Sequence, residues 1–158
     1  MSTKYMTKLN RLENLTLALW VGCMIGVGYI AAPVLFSTLD DRQMAGMLAG
    51  KMFHAVTIMG LICGGILLIL RYRDASVELF RQWRGWLLLI MLICVAVSMF
   101  ILQPMIADVK AMGITEGSDA AKKFGMLHGI SSLVYMVSVV SGCVLLFMGI
   151  HTPPRNSL

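Results

Sequence analysis

Acidic side chains are scarce in this chain, and none of its eight Asp and Glu residues falls inside a long apolar stretch. An ion-driven transporter couples through carboxylates held within the bilayer, so their absence there weighs against such a pump. Charged residues of both signs make up only 13% of the sequence, about half of the roughly 25% found in ordinary soluble domains. The sequence has no Cys-x-x-Cys spacing, no His-Glu-x-x-His, no serine-nucleophile elbow, and no glycine-rich phosphate loop ending in Lys-Ser or Lys-Thr. Thiol redox, zincin, hydrolase and nucleotide chemistry each need one of these arrangements. The chain therefore reads as non-enzymatic.

What is present in excess is hydrophobicity. Of the 158 residues 58% are apolar, and they gather in four blocks, each about 20 residues or longer and nearly free of charge. That is the length that crosses a hydrocarbon core of about 30 Å. The expectation is a single integral membrane domain over residues 1–158, with transmembrane helices at about 15–38, 52–70, 86–106 and 124–150. The fold class is all-α, a four-helix transmembrane bundle running up-down-up-down. Lys4, Lys8 and Arg11 imitate the basic start of a signal peptide. The apolar run from Leu15 to Phe36 is too long for the roughly 7–15 residues of such a leader, so a retained helix is expected.

The formal charge of +5 comes from Lys and Arg placed between the apolar blocks. No basic stretch is interleaved with aromatics as a nucleic-acid groove requires, so the lipid bilayer is the partner and nucleic acid is not. Lys4, Lys8, Arg11, Arg71, Arg73, Arg81, Arg84 and Arg155 fall on one side of the membrane. Arg42, Lys51, Lys110, Lys122 and Lys123 fall on the other. The positive-inside bias puts the larger set, and with it both ends of the chain, in the cytoplasm of a cell whose inner membrane holds the bundle.

Small residues recur on helix faces. Gly22, Gly26, Tyr29 and Pro33 share a face of helix one, and Gly46, Gly50, His54 and Thr57 share one of helix two. Such faces let backbones approach closely, either within the bundle or between copies in a homo-oligomer. Pro33 should kink the end of helix one, and Gln103-Pro104 lies at the end of helix three. Asp40 with Gln43 makes a capping box that restarts a helix near Arg42. The longest loop is expected from Asp108 to Lys123, and Thr152-Pro153-Pro154 should stop helix four.

Helix four carries His128, Ser131, Tyr135, Ser138 and Gly142 on one face. A polar stripe in lipid must turn toward protein or water. The stripe therefore reads as interhelical hydrogen bonding or as a ligand path. Gln103 lies at about the depth of His128, so a hydrogen bond between them is expected. His128, Ser131, Tyr135 and Gln103 form the candidate polar core. His54 reaches a similar depth on the same side. Two imidazoles on separate helices could ligate haem or copper, with soft thioethers such as Met44 and Met47 nearby, as an alternative to no cofactor at all. An oligomeric transporter or channel subunit is a further alternative. The four cysteines, Cys23, Cys63, Cys94 and Cys143, fall one per helix and read as small buried apolar residues.

Five short motifs, in order, resemble a bacterial membrane family of unknown function that is similar to the eukaryotic transmembrane protein 205. They are Trp20-Val-Gly22 with Ala32-Pro33-Val-Leu-Phe36, then Ala45-Gly46, Ala49-Gly50 and Phe53, then Leu102-Gln103-Pro104, then Phe124-x-x-Leu127-His128-Gly129-x-Ser131. The resemblance implies a small four-helix membrane protein without an established activity. It marks Pro33, Gln103, Pro104 and His128 as recurrent positions and does not include His54.

Overall fold

A computed structural model of the chain describes residues 3–74, 83–115 and 117–148. They form four rods. The first is α1 (Thr3–Ile25), a π-helical segment (Gly26–Ala31) and α2 (Ala32–Thr38). The second is the single helix α3 (Arg42–Asp74). The third is α4 (Trp83–Val97), a second π-helical segment (Ser98–Leu102) and α5 (Gln103–Ala111). The fourth is α6 (Asp119–Met148). No strand occurs among the described residues, and the chain is the expected all-α four-helix bundle.

Each rod holds an apolar stretch of 29 or 30 residues: Leu9–Thr38, Arg42–Arg71, Trp83–Ala111 and Asp119–Met148. At ~1.5 Å per residue each is about 45 Å long, enough to span the hydrocarbon core and both headgroup layers. Only 22% to 33% of the residues in their most apolar windows are buried inside the bundle. Phe147, Phe100 and Leu15 stand out from it, Phe147 at 92% exposure. A surface this apolar needs hydrocarbon as its solvent.

Three boundaries differ from the sequence expectation. Helix three does not end near residue 106 but runs through Pro104 to Ala111. Gly113, at φ 78°, then stops it in the left-handed conformation that suits glycine at a helix end. Helix four starts at Asp119, because Ser118 Oγ accepts the Ala121 N–H at 3.1 Å as an N-cap. The expected loop from Asp108 to Lys123 thus shrinks to residues 112–118. Asp41, rather than Asp40, caps α3: its Oδ1 accepts the N–H groups of Gln43 at 2.8 Å and Met44 at 3.1 Å. The expected Arg71–Arg84 connection falls largely on residues 75–82, and the Thr152-Pro153-Pro154 stop on the tail, both outside the described residues.

The core is built from Leu17, Trp20, Val21 and Met24 of α1, set against Val56, Cys63 and Leu67 of α3, Leu88, Met91 and Val95 of α4, and Val139 and Leu145 of α6. Four glycines make room for it. A Cβ on Gly60 would sit 2.7 Å from Trp20 Nε1, one on Gly142 2.5 Å from Val21 Cγ2, and one on Gly28 2.5 Å from Tyr135 Cε1. One on Gly64 would collide with Leu92. The glycines expected to do this do not. Gly22 and Gly26 meet nothing within 4 Å, Gly46 only the tip of Phe36, and Gly50 only the Lys110 ammonium. Gly22 and Gly26 instead line an open apolar groove with Val27, Ala31, Ala55 and Met59. A glycine's use depends on which face of the helix meets a large neighbour, and spacing alone does not say that.

The contrast is testable. Gly60→Ala and Gly142→Ala should each lower stability by about 1–3 kcal/mol through overpacking, while Gly22→Ala stays within about 0.5 kcal/mol of the parent. Unfolding in mild detergent reads the difference; equal effects at all three positions would contradict this packing.

Candidate polar site at the turn end of the bundle

Proline carries no N–H, so Pro33 and Pro104 leave the carbonyls one helical turn back, at Tyr29 and Phe100, without their usual donors. In both rods the helix answers by widening into a π-helical stretch just before the proline. Ala32 N–H then bonds to Val27 O and Gln103 N–H to Ser98 O, each five residues back. The rods continue past their prolines, and such wide turns re-aim the side chains beside them.

Gln103 follows directly on the second of these stretches and reaches across to α3. Its Oε1 lies 2.6 Å from His54 Nδ1, and its Nε2 donates to Thr57 Oγ1 at 3.2 Å. Thr57 Oγ1 in turn donates to the carbonyl of Phe53 at 2.8 Å. Direction runs through the whole chain. Because the Thr57 hydroxyl spends its proton on Phe53, its oxygen is free to accept from the Gln103 amide nitrogen. The amide oxygen must then face His54, and the 2.6 Å contact requires a proton on Nδ1. In the neutral ring the lone pair is left on Nε2. His54 is exposed, Gln103 half-buried and Thr57 buried.

A second strand of contacts joins this group to the first and fourth rods. The Phe53 ring meets Tyr135 edge-on at 5.1 Å. Tyr135 lies against Gly28, where no Cβ intervenes, and its hydroxyl donates to Met24 O at 2.6 Å, just before the first π-helical stretch. Tyr135 and Gln103 are therefore both engaged, but with different partners.

His128 is not part of this chain. The hydrogen bond expected between it and Gln103 is replaced by the bonds to His54 and Thr57. His128 is exposed, and its ring stacks on Phe124 of its own helix at 6.0 Å and 12°. Lys110 Nζ sits 5.7 Å over the same Phe124 ring. The polar stripe of helix four turns inward from Tyr135 onward: Ser138 and Gly142 are buried, Ser131 is half-buried, and no hydrogen bond of the Ser131 side chain is seen among the described residues. Cys63 is buried, but Cys143 is exposed, so the four thiols do not share the interior. No group of three His, Cys, Asp or Glu side chains among the described residues could hold a metal ion.

Sequence reading also missed Glu13. Taken as a flanking charge, it is wholly buried in α1 at the opposite end of the bundle. Arg71, at the end of α3, is 8% exposed, and neither residue is without an interaction. The signal was there in the helical spacing of Glu13 with Leu17, Trp20 and Met24, which continues the core face back toward the N-terminus.

A family model described as a domain of unknown function, DUF4149, matches residues 15–115. The chain belongs to the DUF4149 family. The match spans the first three rods, and so takes in Pro33, His54, Thr57, Gln103 and Pro104. His128, Ser131 and Tyr135 lie beyond it. A comparison with curated proteins found no match. A comparison with solved structures found none either.

The hydrogen-bond directions predict the state of His54. In lipid nanodiscs, nitrogen-15 spectra of the neutral ring should show the proton on Nδ1. Gln103→Leu should release that preference and cost about 1 kcal/mol of stability. A wild-type ring protonated at Nε2 would break the chain as drawn.

Proposed function

We propose that this DUF4149 protein is a non-enzymatic, multi-pass protein of the bacterial inner membrane that binds a small polar ligand at the turn end of its bundle, through His54. One observation carries the reading: the hydrogen bonds from Phe53 O through Thr57 and Gln103 reach Nδ1 of the exposed His54, and their directions favour the tautomer that leaves a lone pair on Nε2. Orienting a ring in this way fixes where a ligand group must stand, which is what a binding site requires. The groups in contact are an amide, a hydroxyl and an imidazole. The similarity to transmembrane protein 205, drawn from short motifs, agrees with a role confined to the bilayer.

A second reading has support from the same ring. Metal-bound histidines commonly donate their other ring N–H to a carbonyl oxygen, as His54 does to Gln103. Copper or haem at Nε2 would need further ligands from beyond a His54–His128 pair, because His128 is stacked on Phe124. One experiment separates these ideas. A structure of protein extracted in native lipid should show density within hydrogen-bond reach of Nε2 that disappears in His54→Ala. A Soret band or stoichiometric copper would assign it to the second reading. Density that survives His54→Ala, or solvent alone at wild-type Nε2, would reject both.

For orientation, the excess of Lys and Arg at the N-terminal end of the bundle supports cytoplasmic termini. A reporter that works only in the cytoplasm, fused after Leu158, should be active; activity confined to the far side would reverse the topology. The open groove at Gly22 and Gly26 supports a homo-oligomer, since nothing among the described residues packs against the faces of these glycines.

A further inference from the structure

Two polar atoms deep in the bundle are left over by the contacts above. Trp20 is wholly buried, and its indole Nε1–H has no hydrogen-bond acceptor among the described residues. Ser138, 2% exposed, has no partner for its Oγ among the described residues. Between hydrocarbon tails neither can turn to bulk water, and an unmade hydrogen bond there is costly. The two atoms belong to residues that line one cavity of about 20 Å³, together with Thr57, Ser98 and Tyr135. A cavity holds a water molecule once it offers about 10–15 Å³ and two to four polar partners. This one has the volume, and five of its lining residues, Trp20, Thr57, Ser98, Tyr135 and Ser138, carry a hydroxyl or an indole N–H. It is too small for any organic ligand.

We propose that this cavity is a binding site for a single ordered water molecule, which accepts from Trp20 Nε1–H and donates to Ser138 Oγ. Each assignment follows from chemistry. The indole nitrogen can only donate, so the water oxygen faces it. The serine hydroxyl both donates and accepts, so it completes the pair.

The site has a consequence for the polar chain at the turn end. Thr57 is the inner member of that chain and also lines the cavity. Its hydroxyl oxygen, after donating to Phe53 and accepting from Gln103, keeps one lone pair. The water's second proton can use it. Surface-exposed His54 and the centre of the bundle are then joined by one hydrogen-bonded path: His54, Gln103, Thr57, water, Trp20 and Ser138. This inference does not depend on a ligand at His54.

The test uses the full chain in lipid nanodiscs with nitrogen-15 indoles, the Trp20 signal being assigned by its loss in Trp20→Phe. Trp20 Nε1–H should show a cross-peak to water. Ser138→Val, which fills the cavity with methyl groups, should abolish it while the Trp83 and Trp86 signals stay in place. Ser98→Val fills the same space from another rod and serves if Ser138→Val does not fold. Absence of the cross-peak in the wild type would overturn the proposal, as would a cross-peak that persists unchanged in a folded cavity-filling variant.

Discussion

A polar group inside a bilayer has no water in reserve, and that constraint orders the interior of this bundle. In a soluble protein an unpaired hydroxyl near the surface simply hydrates. Here each polar side chain in the apolar spans must find a partner on its own helix or on another. Ser and Thr residues show the first solution: Thr16 and Ser132 donate to carbonyls four residues back. Thr57 does the same, and that local bond sets the direction of everything attached to it. Because Thr57 has spent its proton, Gln103 can be oriented only one way, and so can His54. A surface imidazole owes its tautomer to a main-chain carbonyl in the neighbouring turn.

The prolines belong to the same logic. Each removes a donor, which in lipid cannot be made up by solvent. The π-helical stretches before Pro33 and Pro104 shift the hydrogen-bond ladder to five-residue spacing, so the rods continue instead of stopping. Where they lie matters for function. One places Gln103 opposite His54 and Thr57. The other begins beside Met24, whose carbonyl takes the Tyr135 hydroxyl, and contains Gly28, against which Tyr135 packs. The two irregular stretches thus serve the same region of the bundle from different rods, and the candidate site lies where the regular helical ladder is interrupted.

The four-helix architecture was legible in the sequence because it depends on the length and purity of the apolar runs, properties that tolerate errors of several residues. The helix ends were less so. Pro104 looked like a terminus because proline usually breaks a helix, and the wide turn that accommodates it has no simple sequence signature. The site was half legible. Gln103, Tyr135 and His54 stood out as polar residues in apolar surroundings. Their partners did not, because partnership depends on the rotation of each rod about its axis. One helical face spans several residues, and a turn of about 100° per residue separates a contact from a miss. That is why His128, marked by its stripe and by family resemblance, proved exposed, while His54 took the amide of Gln103. The same rotation explains the exchange of roles between Gly22 and Gly26 on one side and Gly28 and Gly60 on the other.

The two ends of the bundle solve the problem of buried polarity differently. At the N-terminal end Glu13 is wholly enclosed and Arg71 nearly so. A buried charge is tolerated only when it is compensated. At the turn end the linked groups are neutral, and the chain closes on the imidazole of the exposed His54. Adding a proton or a ligand at Nε2 leaves the Nδ1 bond to Gln103 intact, because that nitrogen donates in either state. Nε2 can therefore gain or lose a partner without unpicking the contacts beneath it.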